Sequence, residues 1–263
     1  MSLIVRKYGG SSVSTLEKIK SIAMQIKTIY ENGNRLVLVI SAMGDTTDEL
    51  LSSAREITAN PDKRELDMLL SIGERKSISL MSLALNAIGV PAVSFTGSQI
   101  GIITDDDHGN ACILEVRANR LLEALHENKV VVIAGYQGVS IHKEITTLGR
   151  GGTDTTAVAV AAAINADFCE LMKDVDGLYN LPPKYFKEAY LREEVSIDEF
   201  LEIAASGAEL IAKDATQIAK AKNVKLAIGN TFTGKIGTII TNHDMNVVGI
   251  SQVIEQKCHF KQV

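Results

Sequence analysis

Short runs of apolar residues alternate along this chain with longer amphipathic segments, and this alternation restricts the fold more than any other feature of the sequence. Residues 36–40 and 130–134 are apolar at every position, which is typical of parallel strands covered by helices on both faces. Segment 16–30 instead places its apolar residues three and four positions apart, as on one face of a helix. The repeated order of strand, helix and strand predicts an α/β fold with a mainly parallel sheet.

Composition and charge exclude several classes of function. The three cysteines, Cys112, Cys169 and Cys258, are odd in number and form no CxxC pair, so we expect buried thiols in a reducing compartment and neither a disulfide scaffold nor a zinc site. The formal net charge of -5 and the absence of a basic cluster disfavour nucleic acid as a partner. The longest apolar run, 157–164, is too short to span a membrane. With no signal-peptide pattern at the N-terminus, a cytoplasmic location is expected.

The first predicted strand ends in a motif suited to binding an oxyanion. Lys7 is followed by Gly9, Gly10 and a predicted helix. Glycines let backbone amides approach an anion, a helix N-terminus adds positive potential, and the lysine would neutralise a phosphoryl oxygen. From this motif alone, a plain turn with glycines at positive φ is equally consistent.

A second glycine-rich turn, 149–152, precedes an alanine-rich helix for which Thr153 or Asp154 is the predicted N-cap. Its Arg150 carries the planar guanidinium that binds carboxylates in a bidentate manner. In an open parallel sheet, loops at the carboxyl ends of the strands meet at one edge and bind ligands there. Two cationic glycine loops therefore indicate transfer of an anionic group.

Several other patterns are set aside. Segment 229–236 nearly matches a phosphate-binding P-loop, but Ile236 replaces the required Ser or Thr and a strand-like segment follows, so we interpret it as a hairpin-like connection. No dinucleotide fingerprint or GxSxG elbow is present. The acidic run 105–107 is interpreted as a solvated loop. The histidines are interpreted as solvated surface residues: His108, His126, His142, His243 and His259.

Taken together, the loops resemble those of the aspartate kinases, within the amino-acid kinase superfamily. The likeness covers nearly the whole chain and rests on motifs in the order found in that family, at 5–13, 39–44 with Thr47, 73–77, 135–138, 147–154 and 174–179. It implies a three-layer αβα sandwich on a mainly parallel eight-stranded sheet. It also implies one domain, 1–263, in which lobe 1–150 binds the amino acid and lobe 151–245 the nucleotide, while tail 246–263 resembles the lead-in to an ACT regulatory domain.

The resemblance assigns roles residue by residue. Lys7 would contact the transferred phosphoryl group, the amides of Gly9 and Gly10 would stabilise its charge, and Asp154 would orient the cations. Glu74 suits the α-ammonium group of an amino acid and Arg150 its α-carboxylate. The predicted amino-acid site consists of Ser41, Thr47, Glu74, Arg150 and Thr153. The predicted nucleotide site consists of Ser12, Lys173, Asp174, Gly177, Tyr179, Lys184 and Lys213.

The implied reaction is ATP-dependent phosphorylation of L-aspartate to 4-phospho-L-aspartate for the lysine, threonine and methionine branch, with Mg²⁺ as the metal; no metal ligand is assigned. An aspartate side chain has a pKa of about 3.9, so it is ionised at neutral pH and needs no general base. Catalysis then reduces to positioning and charge neutralisation. The absence of a catalytic histidine or cysteine motif agrees with this chemistry.

The departures from the family pattern concentrate in the predicted nucleotide lobe. Lys173 stands where the family has threonine, 182–184 replaces Asp-Pro-Arg, and Glu209 occupies the position of an active-site lysine. We hypothesise that Lys173 or Lys213 supplies the missing cation.

Two alternatives stay open at this point: a related kinase with another small acidic or amino-acid acceptor, and a catalytically silent ligand-binding paralogue. Because the sequence ends at Val263, where the family continues into ACT domains, we expect no feedback inhibition. We also expect a homodimer through the catalytic lobes.

Overall fold

The computed structural model describes residues 1–205 and 210–242. The strands in these ranges are β1 (Leu3–Tyr8), β2 (Arg35–Ile40), β3 (Ala92–Phe95), β4 (Ile102–Thr104), β5 (Ile113–Val116), β6 (Val130–Ala134), β7 (Gln137–Ser140), β8 (Ile145–Thr147), β9 (Phe168–Lys173), β10 (Leu178–Tyr179), β11 (Leu191–Arg192), β12 (Glu194–Ser196), β13 (Leu226–Asn230) and β14 (Ile236–Thr241). The α-helices are α1 (Leu16–Glu31), α2 (Thr46–Ile57), α3 (Lys63–Leu70), α4 (Ile72–Ala87), α5 (Gly97–Ile100), α6 (Asn119–His126), α7 (Gly152–Ala163), α8 (Ile197–Ala205) and α9 (Lys213–Lys222).

Eight strands form one sheet in the order β12-β14-β13-β9-β1-β2-β6-β3, in which every pair is parallel except β13 with β14. Strand β1 lies inside the sheet, and its Lys7 is aligned with Val39 of β2 and Leu171 of β9. One face packs against α1 and α4, and the other against α6, α7, α8 and α9. The predicted three-layer αβα sandwich on an eight-stranded, mainly parallel sheet is confirmed.

The apolar runs owe their character to this two-sided burial. Side chains alternate across a strand, so Val5 of β1 joins the core under α7 while Ile4 and Tyr8 join the core under α1. Both faces therefore select apolar residues. Because the strands are parallel, the segments that follow β1, β2, β6 and β9 all leave the sheet at one edge, and the glycine-rich loops meet there.

A second sheet, with the order β5-β4-β7-β8, lies outside the sequence prediction. Its last strand leads directly into the Arg150 loop. The apolar spacing over 114–126 predicts one helix, but its first part is a strand: β5 occupies Ile113–Val116, and Ala118 adopts a left-handed φ of 55° before α6 begins. The short apolar run at 113–116 pairs with β4, and this tertiary pairing overrides its helical periodicity.

Two further local expectations are corrected. The N-cap of α7 is Gly151, with φ of 81°, and not Thr153 or Asp154, which lie inside the first turn. Of the cysteines, Cys169 is buried as expected but Cys112 is exposed, and Cys258 lies outside the described residues. The rejected P-loop segment is the turn of an antiparallel hairpin between β13 and β14, as predicted. None of the helices described by the structure is both long and apolar enough to span a bilayer.

Candidate active site

A cavity of about 480 Å³ opens at the carboxyl edge of the large sheet. Eight residues predicted for catalysis or amino-acid binding line it: Lys7, Gly10, Ser41, Thr47, Glu74, Arg150, Thr153 and Asp154. Gly9 lies beside it, since a Cβ atom added there would be 3.5 Å from the Lys7 Nζ atom. Lys7 and Arg150, which are distant in the sequence, thus face one shared space.

Close backbone approach explains the glycine after β1. A Cβ atom at Gly10 would lie 2.9 Å from the carbonyl oxygen of Ala42, and the Gly44 amide donates a hydrogen bond of 3.1 Å to the Gly10 carbonyl. Its φ is -58°, so Gly10 is not required for a left-handed turn. This glycine lets the loops after β1 and β2 come together at the cavity.

The loop after β6 makes a similarly tight contact with α7. A Cβ atom at Gly135 would lie 2.4 Å from Thr153 Cγ2, and the Gly135 amide bonds to the Ile40 carbonyl at 3.0 Å. Thr153 Oγ1 accepts a hydrogen bond of 2.9 Å from Ser41 Oγ. The start of α7, which carries Thr153 and Asp154, is therefore held against the ends of β2 and β6.

Asp154 bridges two lysines at the base of the cavity. Its Oδ1 lies 2.7 Å from Lys7 Nζ, and its Oδ2 lies 3.1 Å from Lys173 Nζ. Burial by itself would raise the pKa of Asp154, but the two ammonium groups outweigh it and hold that pKa below its usual value. Burial lowers the pKa of Lys7, Asp154 opposes this effect, and Lys173 adds to it.

Glu74 contributes a carboxylate with an unused oxygen. It is 2% exposed, and its Oε1 accepts a hydrogen bond of 3.1 Å from the Ala42 amide. Its Oε2 is buried and has no hydrogen-bond partner within the described part of the chain. Burial raises the pKa of Glu74 to about 7 despite the opposing hydrogen bonds. A ligand cation at this point would complete the hydrogen bonding of Glu74 and favour its ionised form.

A second cavity, of about 470 Å³, adjoins the first and shares Arg150, Gly151 and Asp154 with it. Lys173 and Lys213, both predicted nucleotide-binding residues, line this second space. Arg150 is exposed and stands between the two cavities. Three cationic side chains, Arg150, Lys173 and Lys213, therefore line the second space together with the carboxylates of Asp154 and Asp214.

The other predicted nucleotide residues line neither cavity. Ser12 Oγ lies 2.9 Å from Thr231 Oγ1, Gly177 packs against Thr238, and Asp174 is exposed. The Tyr179 hydroxyl donates to Asp176 Oδ2 at 3.3 Å, and Lys184 Nζ lies 5.6 Å from the centroid of the Tyr185 ring. Glu209 lies outside the described residues. The structure thus gathers the predicted amino-acid site more completely than the predicted nucleotide site.

The sequence did not reveal two features, one in the cavity wall and one away from it. Tyr136 lines the first cavity with a left-handed φ of 66°, and its only signal was its place in the motif 135–138. The solvated interpretation is wrong for His108, which is half-buried with its Nδ1 atom 2.7 Å from Asp67 Oδ2. His126 and His142 are exposed as expected, and the remaining two histidines, His243 and His259, lie outside the described ranges.

The chain offers no preformed metal cage within residues 1–205 and 210–242, where no three His, Cys, Asp or Glu side chains cluster suitably. The carboxylate at the centre of the site, Asp154, is engaged by Lys7 and Lys173. Magnesium typically binds through substrate phosphates, waters and one or two carboxylates. Asp154 is thus a carboxylate of the cavity that could contribute a ligand to a Mg²⁺ ion held by nucleotide phosphates.

Comparison with known proteins places this architecture. Residues 2–230 match the sequence profile described as the amino acid kinase family. The chain belongs to this family. Among curated relatives of this amino acid kinase, the aspartokinase of Mycolicibacterium smegmatis is 48% identical over 241 residues, which cover 91% of this chain and 57% of the relative. This amino acid kinase thus spans little more than half the length of that relative.

Solved structures agree with the family assignment. The crystal structure of aspartate kinase from Synechocystis matches this amino acid kinase with a TM-score of 0.82 and 45% identity, over 95% of this chain and 41% of that one. E. coli aspartokinase III in complex with aspartate and ADP matches with a TM-score of 0.81 over 93% of this chain and 65% of that one. At 24% identity, the second match supports the fold alone.

Proposed function

We propose that this chain transfers the γ-phosphoryl group of Mg-ATP to the side-chain carboxylate of L-aspartate, giving 4-phospho-L-aspartate and ADP. The observation that carries this proposal is the pairing of Glu74 and Arg150 on the same cavity as the Lys7–Asp154 ion pair. Relatives named aspartokinase, at up to 48% identity, support the same acceptor.

The amino-acid end of the acceptor matches the polar groups of the first cavity. Glu74 Oε2, which has no hydrogen-bond partner among the residues that the structure describes, is suited to accept hydrogen bonds from an α-ammonium group. Arg150 is suited to bind an α-carboxylate. Ser41 and Thr47 add hydroxyl groups to the same wall. A zwitterion held at both charges would direct its side chain toward Lys7.

In the transfer step, one oxygen of the acceptor carboxylate attacks the γ-phosphorus, and the bond from that phosphorus to the bridging oxygen of ADP breaks. ADP keeps the bonding electron pair, and no proton has to be removed because the acceptor is already ionised. Lys7 would neutralise charge on the equatorial oxygens of the phosphoryl group. Asp154 favours the charged form of Lys7 and so opposes the lowering of the Lys7 pKa by burial.

Lys173 is proposed as the second cation of the transfer site. Because Glu209 stands where the family has an active-site lysine, Lys173 and Lys213 are the candidates to replace that positive charge. The ion pair between Lys173 Nζ and Asp154 Oδ2 supports Lys173, because the same carboxylate then orients both ammonium groups. Lys213 lines the adjoining cavity and would act further along the phosphate chain.

These positions suggest which lobe binds which substrate. We assign amino-acid binding to lobe 1–150 and nucleotide binding to lobe 151–245, with Arg150 at their junction. Glu74 and Thr47 support the first assignment, and Lys173 and Lys213 support the second. The cytoplasmic location, the homodimer and the role of tail 246–263 stay predictions from the sequence.

A hydroxylamine assay tests the proposed function directly. The purified protein is incubated with Mg-ATP, hydroxylamine and each of a panel of amino acids and small diacids, because hydroxylamine traps acyl phosphates as coloured hydroxamates. We expect hydroxamate formation with L-aspartate. Hydroxamate with another acid only would establish the alternative acceptor, and release of ADP without hydroxamate from any acid would refute carboxylate phosphorylation. If neither hydroxamate nor ADP forms with any acid, the result would support the catalytically silent paralogue.

A further inference from the structure

Asp67 is a buried carboxylate that the proposed chemistry does not use. It lies on α3, is 1% exposed and lines neither of the two cavities. Its Oδ1 accepts a hydrogen bond from the Thr147 hydroxyl. Its Oδ2 accepts one of 3.2 Å from the Gly109 amide and lies 2.7 Å from His108 Nδ1. A buried carboxylate is costly unless its oxygens are paired, so these contacts hold three chain segments to one point.

Two of these segments support the Arg150 loop. Thr147 is the last residue of β8, three positions before Arg150, and its carbonyl accepts a hydrogen bond of 3.0 Å from the Ala111 amide. A Cβ atom added at Gly149 would lie 2.4 Å from Asn110 Oδ1. The loop between β4 and β5 therefore packs directly beneath the Arg150 turn, and Asp67 ties both to α3.

The third segment, α3, leads to the helix that carries Glu74. Helix α3 ends at Leu70, and α4, with Glu74 in its first turn, begins at Ile72. The Ser71 carbonyl between the two helices accepts a hydrogen bond of 3.0 Å from Gln137 Nε2. Asp67 thus links the element that leads to Glu74 with the strand that leads to Arg150.

We propose that Asp67 is a positioning residue that sets the separation of Glu74 from Arg150 and thereby the affinity for the amino-acid backbone. The inference rests on the proposed function for its substrate, but its structural part does not. Asp67 lines neither cavity, so its replacement should weaken amino-acid binding through the Arg150 loop without removing a group that contacts the substrates. Because Arg150 and Gly151 of that loop also line the second cavity, nucleotide binding should weaken as well, but less, since Lys173 and Lys213 are retained there. The side chain acts through Thr147, whose hydroxyl is its link to β8.

Neighbouring threonines on β8 provide a matched test. Thr147→Val removes the hydroxyl bonded to Asp67, whereas Thr146→Val removes an equally buried hydroxyl that pairs with Thr104 at 2.6 Å on the opposite face of the strand. Asp67→Asn is the second test variant and keeps the shape of the side chain. Hydrogen exchange of the amides in 148–152 and the KM values for L-aspartate and ATP are measured for each protein.

Thr147→Val and Asp67→Asn should each speed exchange in 148–152 and raise the KM for L-aspartate by about tenfold, as expected for loss of a hydrogen bond to a charged group. Thr146→Val should leave both the exchange and the KM for L-aspartate unchanged. In Thr147→Val and Asp67→Asn the KM for ATP should rise less than the KM for L-aspartate, and in Thr146→Val it should not change. If exchange in 148–152 matches the parent protein in Thr147→Val, the inference is wrong whatever the acceptor. Faster exchange with an unchanged KM for the acceptor also overturns it.

The two proposals fail separately. If the parent protein forms no hydroxamate with L-aspartate, the proposed acceptor is wrong, and KM is then measured for the acid that the panel identifies. In a protein that phosphorylates none of the acids, the exchange comparison of Thr147→Val with Thr146→Val still decides whether Asp67 holds the Arg150 loop.

Discussion

Glu74→Gln should make the protein more stable at neutral and alkaline pH while removing amino-acid binding. Glu74 is buried, one of its oxygens has no hydrogen-bond partner within residues 1–205 and 210–242, and burial raises its pKa from 4.5 to about 7. Below pH 4.5 the carboxyl group is protonated in both the folded and the unfolded chain, and its ionisation costs nothing. As the pH rises from 4.5 to 7, the unfolded chain ionises first, and stability is lost.

The size of the effect follows from that pKa difference. At 1.36 kcal/mol per pKa unit, the shift corresponds to about 3 kcal/mol of unfolding free energy. Glutamine is neutral at every pH and has nearly the same shape, so the stability advantage of Glu74→Gln should grow by about 3 kcal/mol between pH 4.5 and pH 7 and then level off. The wild-type carboxylate is retained, on this reasoning, because a substrate ammonium group needs it.

Urea denaturation followed by circular dichroism measures this advantage at pH 5, 6, 7 and 8. Glu49→Gln on α2 is the matched control, since Glu49 is exposed and its carboxylate is solvated in the folded and unfolded chain alike. An advantage of Glu74→Gln that is the same at pH 5 and pH 8 would refute the reasoning. In the parent protein, kcat/KM for L-aspartate should rise toward pH 7 and level off above it, because the ionised form of Glu74 binds the ammonium group.

Three further changes test the remaining parts of the site. Lys7→Ala should lower kcat by at least about a hundredfold with an unchanged circular dichroism spectrum, because Lys173 still neutralises Asp154; near-normal turnover would remove Lys7 from the transfer step. Lys173→Met should lower kcat/KM for ATP by at least about tenfold, and Lys225→Met, at an exposed lysine, is the control. If Lys173→Met and Lys213→Ala both leave turnover and the KM for ATP unchanged, neither lysine replaces the charge missing at position 209. Gly135→Ala should lower the unfolding free energy by about 1 to 3 kcal/mol in urea titrations, because the added Cβ would meet Thr153 at 2.4 Å; equal stability would show that α7 shifts freely.

Motifs with a strong local cause were predictable. The all-apolar runs that form β2 and β6 reflect two-sided burial. The hairpin between β13 and β14 was predictable because Ile236, in place of a hydroxyl residue, ruled out a P-loop. Local patterns failed where a neighbour decided the outcome. The strand at 113–116 exists because β4 pairs with it, and the N-cap of α7 moved to Gly151 because the left-handed conformation there is open to glycine.

The candidate site divides in the same way. Family motifs identified Lys7, Glu74 and Arg150, and the structure places them on one cavity. They gave no sign of Asp67, because its importance lies in contacts with Thr147 and Gly109, which are distant in sequence. His108 was misinterpreted for the same reason, since its partner is also Asp67.

By itself, the sequence determined which residue types stand at the end of each strand, because a strand buried on both faces must be apolar and the loop that follows it is free to carry glycine, lysine and hydroxyl groups. Only the tertiary structure decided that Lys173 shares Asp154 with Lys7 and that one Glu74 oxygen has no partner in the described part of the chain. Both depend on distances across the sheet and on the burial of the Asp154 and Glu74 side chains. Such distances are set by packing among segments far apart in the chain, and no local pattern encodes them.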